Sequence, residues 1–309
     1  MARTSRIIIK NQPAIYHVIS RSTLLGFPFT DADKEVFLNL IKKYSKIYFT
    51  EILGFCIMSN HFHILVRMHP SDIFSSEEIK SRYFQLYGAS RKLSDNQIPI
   101  YRDKFGNLSD FMRDIKVNFS RYYNKKNDRK GYLWGDRFKS VIVEKGHTLI
   151  NCLAYIDLNP IRAGIVKRPE EYRYSSIGYH IQTGNKDGFL SLEFGSEHNK
   201  HIDDKEKFRN YRRYLYQKGG QKKENSGSIS NDIVQKEKNR NYDLTIKEVF
   251  LYRSKYYTDG GIIGTEAFVS EIYNKIKHML FLKRNKKPKK IPGYDQIFSL
   301  RGYRPLENL

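Results

Sequence analysis

Apolar and polar positions alternate from Ala14 to Ser20 (Ala-Ile-Tyr-His-Val-Ile-Ser), which predicts a first strand carrying His17. Thr30-Asp31-Ala32-Asp33 has the composition of a helix start, and Val36, Phe37, Leu40, Ile41 and Tyr44 then recur at helical spacing through Tyr48. Two apolar runs, 51–58 and 61–68, follow as strands joined by a tight polar turn at Ser59-Asn60. The second run carries His61 and His63 on either side of Phe62. Side chains two apart on a strand share a face, so both imidazoles face one way and Phe62 the other, into a core. Residues 70–105 are polar and irregular, with Pro70 and Pro99, and predict a long excursion with a helix near 76–88. A second amphipathic helix is expected from Leu108 to Lys126, with Phe111, Met112, Ile115, Phe119 and Tyr122 as its apolar stripe and Lys116, Arg121, Lys125 and Lys126 as basic surface. The run 131–140 ends a loop and enters a strand over 140–144. His147 to Asn159 is the third predicted helix, burying Leu149, Ile150, Leu153 and Ile156, with Pro160 closing it. Tyr155 and Asn159 lie four apart, one above the other on one helix face.

Past about residue 185 the pattern changes. Residues 161–180 form a compact basic tail to the first unit. A helix is expected at 203–217, residues 218–240 read as a linker with little capacity to bury surface, and residues 241–309 as a small helical region. Leu244, Ile246, Val249 and Phe250 suit one helix there, and Gly264-Thr265-Glu266 starts another reaching His278. A basic run from Lys283 to Lys290 reads either as a solvated connector or as a phosphate-binding arm. The expected division is therefore 1–183 as a catalytic domain, 184–240 as a polar segment and linker, and 241–309 as a basic C-terminal region with DNA binding as its candidate role.

Composition narrows the partner. The chain has 309 residues, a net charge of +22, 23 Tyr and 19 Phe. Strong positive charge points to a polyanion, and interleaved aromatics suit nucleic acid with unpaired bases. Cys56 and Cys152 are the only cysteines, so neither a disulfide framework nor a Cys-based zinc site is expected. There is no run of eighteen apolar residues and no signal-peptide pattern at Met1–Arg6, so a cytoplasmic protein without a membrane span is expected.

Each candidate has a plainer reading beside it. An H-x-H pair is often two surface histidines, and it gains meaning only from what faces it. His17 reads as structural, and Arg21 at the strand end as a phosphate contact. Tyr122 and Tyr123 fall late in an apolar stripe, where core packing or base stacking suits them better than nucleophilic chemistry. Trp134 sits beside Arg137 and Lys139, a grouping able to stack a base and grip a phosphate. The alternative is a tryptophan that anchors its loop on the core.

Four segments occur in order: Tyr16-His17-Val18-Ile19-Ser20-Arg21, Met58-Ser59-Asn60-His61-Phe62-His63, Gly131-Tyr132-Leu133-Trp134-Gly135-Asp136-Arg137-Phe138, and Tyr155 through Gly164 with Asn159-Pro160-Ile161-Arg162 inside it. Over roughly residues 10–180 this resembles the single-tyrosine HUH transposases related to the insertion-sequence 200/605 group, most of all the REP-associated tyrosine transposases. The resemblance implies a ferredoxin-like α+β fold with an antiparallel sheet. It implies His61 and His63 as metal ligands, Asn159 as the polar residue completing the metal site, and Tyr155 as the nucleophile. Arg21, Trp134, Arg137, Lys139 and Arg162 are the expected nucleic-acid contacts. The implied cofactor is Mg²⁺, which prefers oxygen ligands, or Mn²⁺, which accepts imidazole. The implied substrate is single-stranded or hairpin DNA, cut and rejoined through a 5′-phosphotyrosine by a monomer or homodimer. Ser59 stands where many relatives have Pro, and Asp136 where Gly is common. The rival readings are a non-catalytic DNA- or RNA-binding protein on the same fold, a metal-dependent nuclease that uses water, and a bland cationic scaffold.

Overall fold

Strand β1 (Ala14–Arg21) lies between β3 (His61–Met68) and β4 (Lys139–Val143), and β2 (Thr50–Ile57) pairs with the other side of β3. Every pairing is antiparallel, in the order β2-β3-β1-β4. Helix α1 (Asp31–Ser45) joins β1 to β2, and α4 (Leu108–Lys126) lies between β3 and β4. The sheet order and the β-α-β-β-α-β course are those of the expected ferredoxin-like α+β unit. The computed structural model describes residues 7–192, 203–221, 226–246, 248–249, 252, 262–277, 280–281, 287–290, 298–300 and 304–305.

Local chemistry explains the elements. Thr30 accepts the Asp33 amide at the start of α1, and the Asp33 carboxylate accepts the Thr30 amide at 2.9 Å, so two otherwise unpaired donors are satisfied reciprocally. The excursion after β3 holds two helices, α2 (Ser76–Tyr87) and α3 (Ile98–Phe105), where the sequence predicted one. Pro99, read as a mark of irregularity, stands in the first turn of α3, where a missing N–H leaves no bond unmade.

The two faces of the sheet are packed differently. Phe62 faces α1 and α4, with its ring 4.7 Å from that of Phe37. The opposite face receives α5 (His147–Asp157), which crosses β2 at Gly54. A Cβ at Gly54 would stand 2.2 Å from Leu153 Cδ1 and 3.0 Å from Ser176 Oγ, so bare backbone is what lets the helix lie this close. β2 also bulges between Ile52 and Gly54. The base of α5 is clamped by Asp157, which is fully buried and accepts from Ser176 Oγ (2.8 Å), Ile177 N (3.1 Å) and Tyr211 Oη (2.6 Å).

The helix predicted to run to Asn159 stops at Asp157, and Pro160 opens a separate turn, α6 (Asn159–Arg162), instead of simply ending the segment. After α7 (Ser176–Thr183), the structure corrects the linker reading of 218–240. Helices α8 (Asp204–Gly219) and α9 (Asn231–Asn239) pack on the first unit, and Tyr211, Leu215, Tyr216, Ile229 and Tyr242 join the same core as the sheet. The polar composition hid this because much of the burial is ionic. Arg212, 1% exposed, donates to Glu170 (2.7 Å) and Glu237 (2.9 Å), which are themselves fully buried.

Farther on, β5 (Ile262–Gly264), α10 (Glu266–Ile276), β7 (Lys289–Lys290) and β8 (Phe298–Leu300) enclose a small core of their own, Ile262, Val269, Tyr273 and Leu300. Short strands β6 (Leu280–Phe281) and β9 (Arg304–Pro305) pair with each other. Helix α10 answers the helix predicted from Gly264, whereas these strands were not read from the sequence. Phe250, in the helix expected before it, and residues 283–286 of the basic run lie outside the described residues.

Candidate active site

Register builds the site. Arg21 pairs with His61, Ile19 with His63, and Ile19 on its other side with Lys139. Alternation therefore places His17, Arg21 and Lys139 on the same face of the sheet as His61 and His63, the face that α5 covers. Tyr155 on α5 meets them edge-on: its ring centre is 5.7 Å from that of His63 and 5.9 Å from that of His17. Tyr155 remains 43% exposed, so the phenol is both gathered into the cluster and open to solvent. The Arg162 guanidinium lies 4.9 Å from the centre of the Tyr155 ring.

The imidazoles are held neutral. Burial lowers the pKa of His17 to about 4 and, with a contribution from the Arg21 charge, that of His61 to about 4. For His63 burial again leads, His17, His61 and Arg21 add to it, and the value falls to about 3. Neutral imidazoles keep the lone pairs that a divalent cation needs. Asn60 settles which nitrogen of His61 offers one. Its amide nitrogen donates to Gly26 O (3.1 Å), so its oxygen is the end that meets His61 Nδ1 at 2.6 Å. Nδ1 must then carry the proton, which leaves the Nε2 lone pair. His63 Nδ1 lies 3.0 Å from His17 Nε2, and when His63 is the donor of this pair its Nε2 keeps a lone pair for a cation.

Pro160 shapes the third donor. It has no N–H for the Ile156 carbonyl, and the Asn159 side chain supplies one, donating to Tyr155 O (2.9 Å) and Ile156 O (3.2 Å). The Asn159 oxygen remains as an acceptor one turn below the phenol. Among the described residues no group of three or more His, Cys, Asp and Glu is arranged for a metal ion. Two imidazoles and one amide oxygen are donor types that Mg²⁺ or Mn²⁺ could accept, and His61, His63 and Asn159 are the residues that would supply them.

Residues 11–85 match the family described as transposase IS200 like. The match contains strands β1, β2 and β3 with His17, His61 and His63, and so the first two of the four motifs; the segments 131–138 and 155–164 lie outside it. A REP-associated tyrosine transposase solved with a REP hairpin is similar at 14% identity and a TM-score of 0.41, covering 64% of this chain and 93% of that one. A Deinococcus radiodurans R1 protein classed as a transposase is similar at 15% identity and a TM-score of 0.26, covering 51% and 96%. No curated protein matches the chain.

The structure brings His61, His63, Tyr155 and Arg162 together, and places Arg21 and Lys139 exposed on the same sheet face. Asn159 is tied to this group through the backbone of α5. Arg137 is exposed in the loop before β4. Trp134 follows the anchoring alternative: its ring centre lies 5.3 Å from Phe62 and 5.8 Å from both Phe29 and Phe119, and its Nε1 donates to Lys116 O at 3.2 Å. Leu133 and Phe138 of the same loop are also buried. Tyr122 and Tyr123 are structural, donating to Asp33 (3.0 Å) and to Pro28 O (3.1 Å). His17 is the residue sequence reasoning missed. Its alternation with Ile19 and Arg21 was legible, but only the register with β3 sets it against His63.

Proposed function

We propose that this protein is a metal-dependent single-tyrosine HUH transposase that cuts and rejoins single-stranded or hairpin DNA. The family match over 11–85 supports the transposase role. The observation that carries the chemistry is Tyr155, half-exposed, edge-on to His63 and His17.

Tyr155 Oη attacks the scissile phosphorus, the bond to the 3′ oxygen breaks, and the phenol loses its proton while the 3′ oxygen gains one. The products are a 5′-phosphotyrosine and a free 3′-OH. The new ester conserves the energy of the cleaved bond, so rejoining needs no nucleotide hydrolysis. An Mg²⁺ or Mn²⁺ ion bound by His61, His63 and Asn159 would polarise the phosphate. Arg162 lies against the Tyr155 ring and supplies a cation for the phosphate that the phenol attacks. Arg21, Arg137 and Lys139 supply cations for flanking phosphates. The small body from residue 262, where Lys287, Lys289 and Lys290 are exposed, adds a further basic surface for DNA.

The test is a covalent adduct assay with end-labelled hairpin DNA and Mn²⁺ or Mg²⁺. Wild type, Tyr122→Phe and Tyr123→Phe should form a protein–DNA adduct, and Tyr155→Phe should form none. An adduct that survives in Tyr155→Phe overturns the nucleophile assignment. Cleavage without any adduct points to the water-using nuclease.

A further inference from the structure

Two loops leave the sheet at the end where His61 sits: residues 22–30 after β1, and residues 131–138 before β4. The Ser59-Asn60 turn adjoins the first of them. Ser22 N donates to Asn60 O (2.8 Å), Phe29 N to Ser59 O (2.8 Å) and Thr23 N to Leu133 O (2.9 Å), while Thr23 Oγ1 reaches Tyr132 O (3.2 Å). Asn60 holds Gly26 O, and Tyr123 Oη holds Pro28 O. Gly26 takes the left-handed backbone, φ +67°, that the turn between Leu25 and Phe27 requires. Beneath the loops, Phe29, Leu133 and Phe138 are buried.

What these braced loops carry into solvent is apolar. Leu25 is 97% exposed, Phe27 80% and Tyr132 89%. A single exposed apolar side chain needs no explanation, but three on two cross-linked loops beside a candidate active site mark an interaction surface. Arg21, Arg137 and Lys139 on the same segments are exposed as well, in a chain of net charge +22. Apolar faces set among cations match a polyanion whose own apolar faces are open. That describes a nucleic acid strand with unpaired bases, because a duplex hides its base faces in the stack.

We propose that Leu25, Phe27 and Tyr132 form a platform on which unpaired bases of the strand entering the Tyr155 site stack, with Arg21, Arg137 and Lys139 holding the phosphates. This rests on the DNA reading of the site and assigns the stacking role away from Trp134.

The experiment uses the full chain and a labelled single strand of about ten nucleotides, within the span such surfaces cover, with a duplex of equal length as control. Binding is followed by fluorescence anisotropy across a salt series. Phe27→Ala and Tyr132→Ala should each weaken single-strand binding about 5- to 150-fold and leave duplex binding unchanged. Tyr132→Phe and Phe27→Tyr should restore it. The dependence of log affinity on log salt should keep its slope in the alanine variants, which remove no cation, and become shallower in Arg21→Ala and Lys139→Ala. Unchanged thermal midpoints are expected, since the truncated side chains stand in solvent.

Single-strand affinity unaffected in the Phe27→Ala/Tyr132→Ala double variant overturns the platform. So does an equal loss for single strand and duplex, or a change in self-association without a change in DNA affinity, which would seat a second copy on these loops. Tyr132-dependent binding with no covalent adduct in the wild type sinks the chemistry and keeps the platform. Adduct formation with strand binding indifferent to Phe27 and Tyr132 does the reverse.

Discussion

His63 is held in place by a second imidazole, that of His17. His17 Nε2 lies 3.0 Å from His63 Nδ1, so the tautomer of His63, and with it the nitrogen open to a cation, is tied to that of His17. Replacing His17 with Phe keeps a flat ring and removes the hydrogen-bond partner of His63 Nδ1. Mn²⁺ affinity, measured by electron paramagnetic resonance, should fall about 10- to 100-fold, with the fold intact by circular dichroism. Equal Mn²⁺ affinity in the variant would reduce His17 to packing. None of this was readable from residue types, because Tyr16-His17-Val18 looks the same whichever neighbour β1 takes. Trp134 teaches the converse: an aromatic among cations read equally well as a base-stacking face or a core anchor, and only the positions of Phe29, Phe62 and Phe119 decide.

At the scale of elements, β1, β2, β3 and α4 were legible because alternation and the 3.6-residue period are strong where one face is buried. The approach of α5 to the sheet was not, since it depends on what Gly54 lacks. Gly54→Val should force Leu153 aside and lift the helix, at a cost of about 1–3 kcal/mol by urea unfolding. Its larger effect should fall on the adduct rate, by as much as about 100-fold, because the phenol is carried by the displaced element. A variant that loses stability but reacts at the wild-type rate would show that α5 does not set the position of Tyr155.

Across the whole molecule, burial through ion pairs joins residues the sequence assigned to different regions. Arg212 on α8 neutralises Glu170 before α7 and Glu237 on α9. Arg212→Met should cost about 3–5 kcal/mol, because it strands the buried Glu170 carboxylate while Glu237 keeps Arg168 and Arg240, and chemical denaturation measures this directly. Stability should also depend on pH. The folded state keeps His17, His61 and His180 neutral down to about pH 4 and His63 to about pH 3, burial being the leading cause in each. An unfolded histidine takes its proton near 6.5. Between roughly pH 6.5 and 4 the unfolded chain therefore binds more protons, and stability falls as pH falls through that window. Asp157, raised to about 6 by burial, works in the opposite direction but is a single group. The metal-free protein should melt at a lower temperature at pH 5 than at pH 7, and the reverse order would contradict the neutral imidazoles.

Tyr211 reaches back from α8 to the carboxylate under the tyrosine helix. The later helices are thus no detachable cassette. Swapping them for another module, or trimming the gene after residue 183, would leave Asp157 without its phenolic donor and loosen the mounting of Tyr155 from beneath. A shorter homologue built without α8 should carry an apolar or small residue where this chain has Asp157.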